Sequence, residues 1–257
     1  RGGARGVIAA LPMYDREETR AATDRLWTAI AARLRDGGVE APDALTRGAD
    51  PWQVWRAPDL VLAQTCGLPY RARLKDAVTL VATPDYALPG CLPGHYCSVV
   101  VARPGALPDR PVLAYNEGLS QSGWAAALDW AEGEALCFGG LLRTGAHAAS
   151  LAAVAEGRAD LAAIDAQTWR LARRHRAVPE GLREIARTDP VPGLPLIAAA
   201  GRDPAPLAEA ARDAIAALAP PDREALALAG LVRIPPEAYL ALPIPPSPEA
   251  YAAERGI

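Results

Sequence analysis

At 257 residues, with 51% hydrophobic and 22% charged residues, the chain has an ordinary globular composition and room for one large domain or two lobes. A net charge of −3 and scattered basic residues argue against nucleic acid or an anionic membrane surface, both of which call for basic patches. No apolar run reaches the roughly 18–20 residues that a membrane helix needs.

The chain opens Arg1-Gly2-Gly3-Ala4-Arg5 and enters a strand at once, which fits a processed export substrate or a trimmed chain. Gly6 to Leu11 is that strand, ending in Pro12-Met13-Tyr14-Asp15. Arg16 to Arg35 follows with Ala22, Leu26, Trp27, Ile30, Ala31 and Leu34 at helical spacing, stopped by Gly37-Gly38. Tyr14 therefore stands at a strand-to-helix junction, where it either contacts a ligand or caps the core. Pro51 to Trp55 is a short helical turn, and Asp59 to Ala63 a strand whose end carries Gln64-Thr65-Cys66-Gly67. Val78 to Ala82 is the next strand, and Tyr96 to Ala102 an apolar run typical of a strand covered on both faces.

Turn residues at Arg103-Pro104-Gly105 and Leu107-Pro108-Asp109 mark a boundary, and Thr188 to Gly193 marks another. Between them the pattern predicts strands over 111–115, 136–143 and 159–164, and helices over 123–131, 147–156 and 167–175. The basic cluster Arg170, Arg173, Arg174 and Arg176 has helical spacing and reads as a solvated face. After 193 come a strand over 194–199 and helical segments over 204–219, 222–229 and 236–241. The tail, with Pro243, Pro245, Pro246 and Pro248, is expected to lie extended on the surface. The fold class is thus α/β in two lobes, each a mixed sheet flanked by helices. Residues 1–103 and 189–257 form a discontinuous outer lobe and 104–188 an inserted inner lobe. Two crossings make a hinge that can close on a ligand.

The polar clusters sit where strands give way to helices, and in open α/β sheets such junctions gather at the carboxyl edge, where ligands bind. Ser120-Gln121-Ser122-Gly123 opens one helix, Thr144-Gly145-Ala146-His147 opens another, and Asp165 ends a strand. Free N–H groups and the positive dipole end at a helix start attract an anion. Each residue also has a plain alternative: the serines as helix caps, His147 as a structural hydrogen-bonding group, Asp165 as an anchor for a neighbouring backbone N–H. Three widely separated histidines and no carboxylate pair at ligand spacing leave little room for a metal site, and no cofactor is expected. Cys66 and Cys91 lie in Gly/Pro turns where a disulfide would pin two loops, whereas Cys97 and Cys137 sit in apolar strands.

These blocks resemble the phosphate/phosphite/phosphonate-binding proteins of ABC importers, the PhnD-like group with the type II periplasmic binding fold. Ser120-Gln121-Ser122-Gly123 matches that family's Ser-x-Ser-Gly at a helix start. Gly145-Ala146-His147 with Ser150, and Gly157 to Asp165, are similar to its Gly-x-His-x-x-Ser/Thr and Gly-x-x-Asp-Val-Ala stretches. The resemblance implies a solute-binding component that captures a small phosphorus oxyanion in an interlobe cleft. It would be a periplasmic or lipid-anchored monomer, delivering to a membrane permease and performing no chemistry. Ser120, Gln121, Ser122 and His147 would hold the anion, with Tyr14, Gln64 and Thr65 closing over it. Asp165 would receive a donor from the guest. Family members that bind aminoalkyl phosphonates carry acidic partners for the ammonium; the matching positions here are Gln167 and Leu194.

Two other readings remain open. A sensor or binding domain for another small anion or a phosphorylated metabolite would use the same fold. Ser120 or Ser122 with His147 and Asp165 has the residue types of a hydrolase triad, but no Gly-x-Ser-x-Gly elbow accompanies them.

Overall fold

The computed structural model describes residues 6–257, so the opening Arg1 to Arg5 lies outside the described residues. In chain order, β1 (Ile8–Ala10) leads to α1 (Arg20–Asp36), which buries Leu26, Trp27, Ile30 and Leu34 along one stripe. Gly38, at φ +78°, provides the left-handed step that ends it. α2 (Pro51–Trp55) starts on a proline, and Asp50 caps it by accepting the Gln53 N–H at 3.0 Å. β2 (Leu60–Gln64) runs into α3 (Gly67–Pro69) and a π-helical turn, Tyr70–Leu74, before β3 (Val78–Asp85). Next come β4 (His95–Tyr96), β5 (Ser98–Ala102), β6 (Val112–Tyr115) and a second π-helical turn, Gln121–Ala125, continuous with α4 (Ala126–Gly133). β7 (Gly140–Arg143), α5 (His147–Ala155), β8 (Leu161–Asp165), α6 (Ala166–Arg174), β9 (Arg183–Arg187) and β10 (Val191–Pro192) follow. The chain finishes with β11 (Leu196–Ala199), α7 (Pro204–Ala216), α8 (Pro220–Leu226), β12 (Gly230–Val232), α9 (Pro236–Leu240) and α10 (Pro248–Arg255). No described helix is long and apolar enough to cross a membrane.

The chain divides into two compact units, one reaching Pro89 and resuming over Pro192–Ala241, the other comprising Gly90–Val191 and Leu242–Ile257. The first holds a five-stranded sheet in the order β1-β2-β11-β3-β12. β1 and β2 are parallel, and β11 lies antiparallel between β2 and β3, so β1, β2 and β3 point the same way. One core packs Leu62 and Ala198 with Trp27 and Ile30 of α1 and Leu207 of α7. The opposite core packs Leu60 and Ile197 with Tyr70, Leu74 and Tyr239. Covering both faces explains why β2 and β11 are buried at every residue.

The second unit has the sheet order β7-β6-β8-β5-β9. β6 is parallel to β7 and to β8, and β5 lies antiparallel between β8 and β9. β5 is the apolar run that the sequence reading placed before the boundary at 103. It pairs instead across its full length with β8, Ser98 opposite Asp165 and Ala102 opposite Leu161. A fully buried strand advertises its burial, not its sheet; partners of long sequence separation decide that.

The proline-rich stretch over 243–247 is largely exposed and without regular structure, and it is tied to the second unit. After a passage at 241/242 it belongs to the second unit. There Trp124 Nε1 donates to the Pro246 carbonyl at 2.9 Å, and the Phe138 N–H donates to Tyr251 Oη at 3.2 Å. Tyr251 of α10 packs edge-on against Trp124, and both rings are buried. No disulfide joins any of the four cysteines, and Cys66 and Cys91 fall in different units.

Candidate functional site

In the second unit the three parallel strands β6, β7 and β8 end at one edge of the sheet, and the loops leaving that edge carry Ser120 and Ser122, His147, and Asp165 in turn. Ser120, in extended geometry (φ −91°, ψ 125°), caps the π-helical turn: its Oγ accepts the Gly123 N–H at 3.0 Å. Gly123 has a steric reason. A Cβ there would stand 2.0 Å from Asn116 Oδ1 and 3.3 Å from Ser120 Oγ, so glycine lets the Asn116 side chain lie against this helix start.

Ser122 Oγ lies 2.9 Å from His147 Nε2 and 3.5 Å from Ser120 Oγ. Its carbonyl accepts from Ser98 Oγ of β5 at 3.0 Å. The histidine loop is tied to the serine loop by Thr144 N–H donating to the Tyr115 carbonyl at 2.8 Å and Gly145 N–H to the Asn116 carbonyl at 3.0 Å. Thr144 Oγ1 also hydrogen-bonds Ser150 Oγ at 2.7 Å, fixing the first turn of α5. Gly145, at φ +85°, makes the bend that brings the His147 ring to Ser122.

Burial pushes the His147 imidazole down to about 4 from an ordinary 6.5, so the ring is neutral at physiological pH. Its Nδ1 is enclosed without a hydrogen-bond partner. Of the two neutral tautomers, the one protonated on Nε2 donates to Ser122 Oγ and releases the Ser122 hydroxyl proton for another acceptor. The other would bury an unpaired N–H at Nδ1, at a cost of roughly 1–3 kcal/mol. Two hydroxyls thus stand together at the start of the π-helical turn.

Asp165 is buried and caps α6, Oδ1 accepting the Thr168 N–H at 2.8 Å. Gln121 is buried in the π-helical turn. Gln167 is fully buried, and its Oε1 accepts from Arg170 Nε at 2.8 Å.

The first unit repeats the arrangement on its own. Tyr14 follows β1, Gln64 ends β2 with Thr65 next, and Tyr86 follows β3, all at the carboxyl edge of its sheet. Tyr14 packs edge-on against Tyr86, centroids 4.9 Å apart at 79°. Gln64 Nε2 donates to Tyr86 Oη at 3.3 Å and to the Leu194 carbonyl at 3.2 Å. Thr65 N–H donates to the Pro195 carbonyl at 3.0 Å, while its fully buried Oγ1 has no partner. Tyr86 and Asn116 escaped the sequence reading, although Tyr86 stands right after a strand, where Tyr14 had drawn notice. Among the described residues, no group of three or more His, Cys, Asp and Glu could hold a metal ion.

No curated protein matches the chain. Residues 112–237, which open at β6 and hold the whole serine–histidine loop system, match the family described as the phosphonate periplasmic substrate-binding protein of ABC transporters. Over that stretch the chain resembles this substrate-binding family. Solved structures agree on the fold. PhnD1 from Prochlorococcus marinus, in complex with methylphosphonate, superposes with a TM-score of 0.67 at 14% identity, covering 97% of this chain and 98% of its own. A binding-protein component of an ABC phosphonate transporter from Pseudomonas aeruginosa gives 0.64 at 14%, covering 97% and 93%. XAC2383 from Xanthomonas citri, bound to ATP, gives 0.66 at 16%, covering 97% of each chain. Proteins of the matched family are periplasmic substrate-binding proteins of ABC transporters. The Ser122–His147 contact joins the two loops, and Asp165 Oδ1 caps α6.

Proposed function

We propose that this PhnD-like protein captures a small tetrahedral phosphorus oxyanion (phosphate, phosphite or an alkyl phosphonate) on the Ser120–Ser122–His147 nest. The observation that carries the reading is the Ser122 Oγ to His147 Nε2 contact of 2.9 Å at two adjoining helix starts. It leaves hydroxyl protons to give and places helix N–H groups beside them, which is what an oxyanion needs. Selectivity arises because any donor or acceptor left unpaired in a dry site costs roughly 1–3 kcal/mol.

Gln121 and Asp165 are assigned to the same guest, as are Tyr14, Gln64 and Thr65 of the first unit, so that both units contribute to capture and then deliver the solute to a permease. The unpartnered Thr65 hydroxyl supports that assignment. The guest carries no ammonium group: Gln167 stands where the family's aminophosphonate binders have an acid, its amide oxygen already accepts from Arg170, and Leu194 offers no carboxylate. The working state is a monomer, and the setting is periplasmic or lipid-anchored.

A thermal-shift panel of phosphate, phosphite, methylphosphonate, aminoethylphosphonate, sulfate, ATP and small carboxylates tests the reading. A guest at about 100 times its dissociation constant stabilises the protein by about 2.7 kcal/mol. Phosphate, phosphite or methylphosphonate is expected to give that shift and aminoethylphosphonate to give none. A shift with ATP alone would favour a phosphorylated metabolite, and a shift with carboxylates alone would refute the oxyanion reading.

A further inference from the structure

Cys91 and Cys97 open the second unit and do not take part in the anion nest. The chain reverses between them through a turn in which the His95 N–H donates to the Leu92 carbonyl at 2.9 Å. The reversal brings the two thiols together: the Cys91 and Cys97 side chains are hydrogen-bonded to each other. Cys97 is buried and Cys91 half-buried, so the pair is shielded on one side and open on the other. β9 supplies the rest of the setting. Arg187, which pairs with Val99 in the β5–β9 ladder, hydrogen-bonds the Cys97 sulfur and places a guanidinium beside it. Burial, and then the neighbouring Cys97, push the Cys91 thiol up to about 12, so in the finished fold Cys91 holds its proton.

We propose that Cys91 and Cys97 are a disulfide pair, oxidised in the extracytoplasmic setting of this family and closing a short loop onto the residue just before β5. The oxidant is a disulfide-bearing donor, an oxidoreductase in the cell or oxidised glutathione in the tube. One cysteine thiolate attacks the donor disulfide, forming a mixed disulfide and releasing a donor thiol. The second cysteine then displaces the remaining donor sulfur. Two S–H bonds are lost, one S–S bond forms, and the donor disulfide is reduced to two thiols. Cys66 and Cys137 stay outside this pairing: Cys66 belongs to the other unit, and Cys137 accepts from Arg255 Nη1 at 3.0 Å on α10. The inference uses the compartment of the family and is independent of which anion is bound.

The test folds the full chain in a glutathione redox buffer, denatures it in a thiol-blocking reagent and maps the blocked cysteines by mass spectrometry. Blocked Cys66 and Cys137, with the chain lighter by two hydrogens and Cys91 linked to Cys97, is the expected result. Four blocked cysteines, or a link from Cys91 to Cys66, would overturn the proposal. In Cys91→Ser, the thiol of Cys97 is expected to become blockable. Reduction is expected to lower the melting temperature of the native chain but not of the Cys91→Ser/Cys97→Ser double variant; an equal drop in both would count against the bond.

Discussion

Ser122 Oγ and His147 Nε2 lie 2.9 Å apart although the two residues belong to different loops, one after β6 and one after β7. The parallel pairing of those strands, Tyr115 opposite Arg143, sets the distance before either side chain contributes. The pair works as a unit. Ser122→Ala is expected to leave His147 Nε2 unpaired, cost about 1 kcal/mol of stability, and abolish the oxyanion-induced thermal shift. His147→Ala should abolish the shift too. The double variant should cost less than the sum of the single ones, as contacting residues do. Chemical denaturation with and without phosphate or methylphosphonate reads all three.

The low proton affinity of His147 makes a pH dependence. The folded ring titrates at about 4 and the free side chain near 6.5, so between these values the unfolded chain binds the extra proton. Stability is present in full above about 6.5 and is lost as pH falls towards 4, by at most about 3 kcal/mol. His147→Gln is expected to flatten that segment of the stability curve. An NMR titration of the ring should place its midpoint well below the ordinary value in the anion-free protein and move it upward when phosphate binds, since a nearby anion favours imidazolium.

Gly123→Ala drives a Cβ to 2.0 Å from Asn116 Oδ1. The Asn116 side chain must move, at a cost of about 1–3 kcal/mol, and the oxyanion shift is expected to weaken with it. Adding Asn116→Gly clears the obstruction and is expected to restore most of the stability. If Gly123→Ala alone melts and binds like the parent chain, the close approach has no functional weight.

Asp165 separates two roles by substitution. As a helix cap its oxygen accepts from Thr168 N–H, a bond that asparagine also makes. Asp165→Asn is therefore expected to keep the melting temperature, and Asp165→Ala to lose about 1 kcal/mol. Binding that survives in Asp165→Asn would mean the negative charge makes no contact with the guest; binding that fails would mean it does. Calorimetric titration of both variants with phosphate decides between them.

Much of this was legible beforehand because the deciding signals are local. Strand-to-helix junctions with Ser-x-Ser-Gly and Thr-Gly-x-His mark loops at a carboxyl edge, and those loops stand there. The misplaced strand and the missed ones failed for a different reason. Ser98 to Ala102 is buried at every position, so nothing in its own pattern names its sheet. β9, Arg183–Arg187, alternates exposed and half-covered residues and carries two arginines, so its edge position hid its strand character. Asn116 and Tyr86 matter through contacts that arise only after folding, with Gly123 in one case and with Tyr14 and Gln64 in the other. The π-helical turns have no sequence signature; a wider turn is forced by what surrounds it.

The wide turn over Gln121–Ala125 has a practical consequence for anyone redesigning specificity. It holds one residue more per turn than the helix it feeds. Deleting any one of its five positions would rewind it to regular pitch and swing everything upstream by about 100°. Ser120 would then lose its place beside Ser122, however well its chemistry had been preserved. Loop length here is as strict a specification as side-chain identity, and libraries built on this scaffold should exchange residues without ever shortening the segment.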